Sequence, residues 1–387
     1  MRNQDVKSTN HLTFTEKSRE DHGKKIIRAC ISQVIKTGAV GILLISFVAV
    51  IACLCIFCKR AAFQTNLTFI SNYLQWRFFQ RSGSDKVLIG KHGRLFSLEN
   101  GEKETIMHEL LGEEKVGLWA RHFEARRRWL KLHKIRYVLV FVPSKSEIYP
   151  DDVPRSYRPI QRFSIKDQIL QALKETTLVE YFDLRNTLLP YKLPPYDKTD
   201  SRLNQAGAFF SGRALTTWLE DKFPDVKPLQ LADIETQVET QPGGDLAAML
   251  GLADQMPENV VRVRLKKQRW SFCAHPAKAG LGEGAKSSSS FATDFATETR
   301  DSKSPVVYVL GDSCGIEMQP FLSQTLRRVF YHWDYLKTSD HFSVNEILLE
   351  RPDIVIEEKS ETSLARPMIP NPMAVEHTME YLSEASP

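Results

Sequence analysis

The sequence predicts an α/β sandwich with a mainly parallel sheet, preceded by one transmembrane helix. An uninterrupted apolar run fills residues 39–58, and beyond it short strands alternate with segments of helical spacing. The best of those strands, residues 137–142 and 306–311, are apolar throughout. A strand covered by helices on both faces reads as a continuous apolar run, and alternation of strands with helices is the pattern of a parallel sheet.

The run AVGILLISFVAVIACLCIFC, residues 39–58, is followed at once by Lys59 and Arg60. About 20 such residues cross the hydrocarbon core as a helix. Lys24, Lys25, Arg28 and Lys36 precede it, a bias that places the N-terminus inside. Residues 1–38 then form a cytoplasmic tail, and the chain after the span lies on the far side of the membrane. Cys53 sits in a stretch resembling a lipoprotein cleavage box, but the long polar region before it and the apolar residues after it argue against processing there.

With 387 residues, 42% of them hydrophobic, the chain can build one large core or two small ones. Its net charge of +5 is spread along the chain and interleaved with acidic residues, so nothing favours nucleic acid as a partner. The cysteines lack zinc-type pairing, and only Cys273 and Cys314 lie beyond the span.

After the span, residues 59–85 form a membrane-proximal segment with aromatics at helical spacing. A globular domain over 86–364 opens with a hairpin around Lys91-His92-Gly93. Val116, Trp119, Phe123 and Leu130 mark a helix on which Arg126, Arg127 and Arg128 read as a solvated face. A buried strand at 137–142 follows, then a helix at 165–173, a strand at 179–184, a helix at 205–223, a strand at 306–311 and a last strand at 353–358. Residues 266–305 are polar and rich in Gly and Ser, the composition of a loop insertion. Residues 365–387 read as a C-terminal tail.

GDSCG, residues 311–315, stands between the apolar strand ending at Gly311 and a helix-like stretch, residues 316–330. A serine on a tight strand-to-helix turn is presented at the carboxyl edge of the sheet, with turn amides aimed at a developing oxyanion. Ser313 is therefore the candidate nucleophile, although Gly-Asp-Ser is also ordinary turn and capping chemistry. Cys314 beside it reads as a small buried residue. Lys145 and Tyr149 follow the strand at 137–142 and have either a substrate role or a turn and surface role.

VLIGKHGRLF from residue 87, VPSKSEIYPDDVP from 142, YDKTDSRLNQAGA from 196, GDLAAMLGL from 244, VLGDSCG from 309 and RPDIVIEE from 351 occur in a characteristic order. Together they resemble the SGNH-hydrolase-like domain of the alginate O-acetyltransferase family. The resemblance implies a three-layer α/β sandwich that attaches acetyl groups to polysaccharide hydroxyls. It implies Ser313 as nucleophile and Asp200 as the aspartate of an Asp-x-His segment, and it puts Arg202 at the position of the histidine. It further implies a polysaccharide substrate, a membrane-bound O-acyltransferase partner, and no metal or diffusible cofactor.

A serine hydroxyl needs a base, and histidine serves because it titrates near neutrality. Arginine stays protonated, so Arg202 can bind an anion or pair with Asp200 but cannot take a proton. Three readings follow: another histidine (His275, His332 or His341) supplies the base; Asp200 acts directly or through water; or the domain binds polysaccharide, or scaffolds the export machinery, without transfer. A carbohydrate acetylesterase using the same residues is a further alternative.

Overall fold

The computed structural model describes residues 60–159, 161–273, 294–311, 316–333 and 342–365. The chain divides into two compact units, 1–68 and 69–387. Of the first, only the opening of the helix Arg60–Phe79 is described. The expected membrane span at 39–58 lies outside the described residues. Among those that are described, no helix is long and apolar enough to cross a membrane.

The second unit is built on a mixed sheet of seven strands among the described residues: β3 (Arg136–Val142), β4 (Glu180–Asp183), β7 (Ser271–Cys273), β8 (Asp294–Glu298), β9 (Val306–Gly311), β10 (Arg328–Trp333) and β11 (Ile354–Ser360). Their spatial order is β4-β3-β11-β9-β10-β8-β7. The five strands from β4 to β10 are mutually parallel, whereas β8 and β7 add antiparallel pairs at one edge. The parallel sheet expected from sequence is present, with an antiparallel border that its composition did not announce.

Alternation along each strand sorts side chains to the two faces. Val138, Val140, Val307, Val309 and Ile356 pack with Phe209, Leu215 and Leu219 of the helix Gln205–Glu220. Tyr137, Leu139, Tyr308, Leu310 and Val355 pack on the other face, with Trp119, Phe123 and Trp129 of the helix Glu113–Leu132 and Ile169 and Leu173 of Ile165–Thr176. This is the three-layer arrangement. The helix at 165–176 starts at a capping box, in which the Ser164 hydroxyl accepts from the Asp167 amide and the Asp167 carboxylate accepts from the Ser164 amide.

Two hairpins flank the sheet. β1 (Val87–Ile89) and β2 (Leu95–Ser97) form the expected one, their turn carried by His92 and Gly93 at positive φ. β5 (Ile234–Gln241) and β6 (Glu258–Leu265) form a longer antiparallel pair.

Three expectations change. The segment at 266–305, read as a loop insertion, contributes β7 and β8, short strands given their conformation by pairing, β8 with β10 and β7 with β8. The helix-like stretch at 316–330 holds a 3-10 turn, Ile316–Met318, and a helix, Gln319–Ser323, before β10 begins. Val329, Phe330 and Tyr331 are then drawn into the sheet, so tertiary pairing overrides helical spacing. Lastly, the arginine run is not all solvated. Arg126 is fully buried against Glu357 of β11, which also accepts from the Tyr137 hydroxyl at 2.6 Å and meets Lys359 Nζ at 3.2 Å.

Candidate functional site

The carboxyl ends of the parallel strands define one edge, where α/β sheets hold their ligands. After β3 the chain turns through Pro143, and the carbonyl of that proline accepts the Tyr196 hydroxyl at 2.5 Å. Tyr196 and Leu203 form an isolated antiparallel bridge, so residues 197–202 stand out from this edge as a closed loop. Asn204 ends the loop and caps the helix Gln205–Glu220, accepting from the Gly207 amide at 2.9 Å.

Two carboxylates fasten the loop through its backbone. Glu258 accepts from the Lys198 amide at 2.6 Å, from the Thr199 amide at 3.1 Å and from the Thr199 hydroxyl. Asp245 accepts from the Ser201 amide at 2.8 Å and from its hydroxyl. Gly244 passes so close that a Cβ there would lie 2.8 Å from Asp200 Cβ. Only glycine fits beside that side chain.

Lys145 works from below. It is 5% exposed, and its Nζ donates to the carbonyls of Lys198 at 2.8 Å and Asp200 at 2.7 Å. Burial, and next the neighbouring Arg94, push its pKa down to about 7, against the opposing pull of Glu258, Asp200 and Asp245. Lys145 is therefore a buried clamp on the loop rather than a surface or turn residue. Tyr149 is half-buried beneath the Arg94 guanidinium, 3.4 Å from its ring centroid.

On the loop, Asp200 Oδ1 accepts from the Arg202 amide at 3.0 Å, while the Arg202 guanidinium Nε lies 3.7 Å from the same oxygen. The two side chains are a quarter and a third exposed. Glu317, in the turn that follows GDSCG, lies within electrostatic reach of Arg202, Asp200, Arg262 and Asp197, and burial raises its pKa. Burial likewise raises that of Asp197, opposed by a hydrogen bond from Asn204. The loop at 197–202 and the segment after β9 thus converge on one charged, partly desolvated spot, the environment in which functional sites gather.

The model of the family described as SGNH hydrolase-like domain, acetyltransferase AlgX, matches residues 87–344, more than half of the chain. The chain belongs to this family. Solved structures similar to it include a DHHW family protein from Eubacterium siraeum (TM-score 0.52, 14% identity, 76% of this chain and 96% of that one). PatB1 of Bacillus cereus is also similar (TM-score 0.50, 14% identity, 66% and 92%). So is the O-acetyltransferase domain of Pseudomonas putida AlgJ (TM-score 0.50, 16% identity, 76% and 99%). At these identities the likeness shows the SGNH-like fold. Among curated proteins nothing matches the sequence.

Within this AlgX-type domain the residues singled out from sequence fare differently. Asp200 and Arg202 come together on the loop, as their spacing implied. Ser313 and Cys314 lie outside the described residues, as do His275 and His341. His332 sits on the same side of the sheet as Phe330 and Tyr308, away from the loop, with its Nδ1 3.4 Å from Glu346 Oε2. Cys273 meets Arg328 Nη1 at 2.9 Å, and burial pushes its thiol up to about 11.

Sequence reasoning missed Glu317, Glu258 and Asp245, and named Lys145 without its hold on the loop. Gly244-Asp245 stood inside a quoted family segment and carried a readable signal. Glu258, at the start of β6, carried none.

Proposed function

We propose that this chain serves in O-acetylation of an exopolysaccharide, with Ser313 as the acyl-accepting nucleophile beside Asp200 and Arg202. The observation that carries the reading is the convergence, in an AlgX-family domain, of the loop bearing Asp200 with the segment that begins at Ile316, next after the GDSCG motif. In the proposed cycle the Ser313 oxygen attacks the acetyl carbonyl of a donor, and the donor's leaving group departs with the proton. A sugar hydroxyl then attacks the acyl-serine, its oxygen forms the new ester, and Ser313 regains its hydrogen. Arg202 cannot accept that proton at any working pH, so Asp200 receives it directly or through water. Arg202, with its guanidinium exposed beside Asp200, binds the anionic substrate or the developing oxyanion. An alginate-like polymer is the proposed acceptor. The span at 39–58 would anchor the domain on the periplasmic face, where a membrane-bound O-acyltransferase would deliver acetyl groups.

A second reading is favoured by one specific observation, that the only side chain paired with Asp200 on this loop is a permanent cation. In it the domain binds polysaccharide without transfer. Hydrolysis of a chromogenic acetyl ester by the full chain separates the two. The transfer reading expects slow turnover in wild type that Ser313→Ala abolishes. Silence in wild type with activity appearing only in Arg202→His would establish the binding reading. Turnover surviving in Ser313→Ala would remove the nucleophile.

A further inference from the structure

Where β6 ends, the chain carries a dense run of positive charge. Arg262 and Arg264 stand near the end of the strand, Lys266, Lys267 and Arg269 follow it, and no acidic residue interrupts the sequence from residue 259 to residue 273. Glu239 partly answers the first two across the hairpin, at 3.3 Å from Arg262 and 3.5 Å from Arg264. Lys266, Lys267 and Arg269 lie beyond the hairpin and are exposed.

The backbone of this run is held from the protein side. The Lys266 amide donates to the Asp233 carbonyl at 3.0 Å. Gln324, only 4% exposed, engages the next turn of chain: its Nε2 donates to the Lys267 carbonyl at 2.6 Å and its Oε1 accepts from the Arg269 amide at 2.9 Å. With the main chain satisfied inward, the three cationic side chains are left to the solvent. Like charges held side by side repel one another, an arrangement that an anionic partner relieves.

An apolar group stands among these charges. β7 follows at once and is the edge strand of the sheet among the described residues. Its Phe272 is 67% exposed, with its ring centroid 5.3 Å from that of Trp270 and 5.7 Å from that of Phe295, both in edge-on contact. Two rings brace the phenyl group, and most of it stays bare. An exposed aromatic ring beside clustered Lys and Arg is the composition of a membrane-interface surface, where the ring enters the headgroup boundary and the cations meet anionic lipids. A soluble polyanion answers the charges and leaves Phe272 in water. A bilayer surface answers both.

The inner border of the run belongs to the surroundings of the candidate site. Arg264, Gln268 and Trp270 line a groove of about 310 Å³ together with Gln205 and Glu317, and β6 begins with Glu258, which fastens the Asp200 loop. The eight residues of that strand span about 25 Å.

We propose that residues 266–272 are a docking surface for an anionic lipid bilayer, with Lys266, Lys267 and Arg269 at headgroup phosphates and the Phe272 ring in the interface. Docked in this way, the Asp200 loop stands within about 25 Å of the headgroups. The surface acts whether or not the domain transfers acetyl groups, and whether or not residues 39–58 span the membrane.

The test is hydrogen–deuterium exchange of the full chain in detergent, in nanodiscs of phosphatidylcholine, and in nanodiscs of phosphatidylcholine with phosphatidylglycerol. Amides at 264–273 exchange about tenfold more slowly in the anionic discs than in either other setting, and raised salt removes the difference. Lys266→Gln combined with Lys267→Gln brings the protection to within about twofold, and Phe272→Ser weakens it about threefold. Exchange at 306–311, the middle strand of the sheet, stays unchanged in each variant and reports that it is folded. Co-elution with the phosphatidylcholine discs reads the span separately: a chain that binds only the anionic discs loses the span and keeps the docking surface. Equal exchange in the two kinds of disc, or protection that survives both sets of substitutions, overturns the proposal. So does a soluble polyuronate that protects these residues in detergent as strongly as the anionic discs do, because the partner is then a polymer and not a bilayer.

Discussion

Two arginine–carboxylate pairs in this domain have the same chemistry and opposite settings. Arg126 and Glu357 are sealed beneath the sheet, where Tyr137 and Lys359 also engage the carboxylate. Burial alone would raise the Glu357 pKa, but Arg126 first and Lys359 next more than offset it and hold the group down at about 2. Arg202 and Asp200 meet at 3.7 Å on a loop, partly open to solvent, and both keep capacity for another partner. A pair taken out of water is costly to break and therefore fixes a frame; a loose pair at the surface contributes little to stability and remains available to a ligand. The arginine run at 126–128, read as solvated, thus includes a structural anchor at Arg126, whereas Arg202, standing alone, is a third exposed.

The comparison can be broken most directly at the buried pair. Glu357→Ala, which strands Arg126, is expected to cost about 3–5 kcal/mol in urea unfolding; a loss under about 1 kcal/mol would put this pair in the class of surface contacts. The folded pKa of Glu357 is depressed, so its stabilisation is present above the ordinary carboxylate range and is lost as pH falls from about 4.5 to about 2. Glu357→Gln should flatten that acid limb.

At the open pair the expected change is in activity, not stability. Arg202→His should raise acetyl-ester turnover about a hundredfold near pH 7.5 by supplying a base, with unfolding free energy moved by less than about 0.5 kcal/mol. A large loss of stability would show Arg202 to be a frame residue after all.

Gly244→Ala probes how tightly the loop beneath Asp200 is held. The added methyl meets Asp200 at 2.8 Å, and the overpacking is expected to cost about 2 kcal/mol and lower turnover. Unchanged stability and turnover would show a loop free to shift.

A pH-dependent effect concerns Lys145. Its pKa of about 7 in the folded chain lies below the ordinary 10.5, so between those values the unfolded chain holds more protons and stability rises with pH. The slope should approach about 1.4 kcal/mol per pH unit within that window. Unfolding of Lys145→Met measured from pH 7 to 10 should lack it, and an identical slope in wild type and variant would mean that Lys145 is not desolvated.

Much of the frame was legible in the chain. The strand at 306–311 and the helices starting at 165 and 205 announced themselves because continuous apolar runs and capping residues are local signals. β7, β8 and β10 did not. Ser271–Cys273 and Asp294–Glu298 are too short and polar to declare a strand, and Arg328–Trp333 continues a helical spacing. For the candidate site, Asp200 and Arg202 were readable because two residues of spacing fix their proximity. Glu258 was not, since it reaches the Lys198 amide from a strand 60 residues further along.

By itself the sequence determined the α/β class, the order along the chain of four of the five parallel strands, the family, and the presence of a permanent cation two residues from Asp200. The class and the strands follow from periodicity and composition, the family from the order of its motifs, and the cation from side-chain chemistry that a residue carries wherever it stands. The tertiary structure alone decided which arginine is buried, that Lys145 clamps the Asp200 loop from beneath, and that Gln205, Arg264, Trp270 and Glu317 share one groove. Burial and electrostatic environment are properties of what surrounds a group, and here the surroundings come from distant parts of the chain.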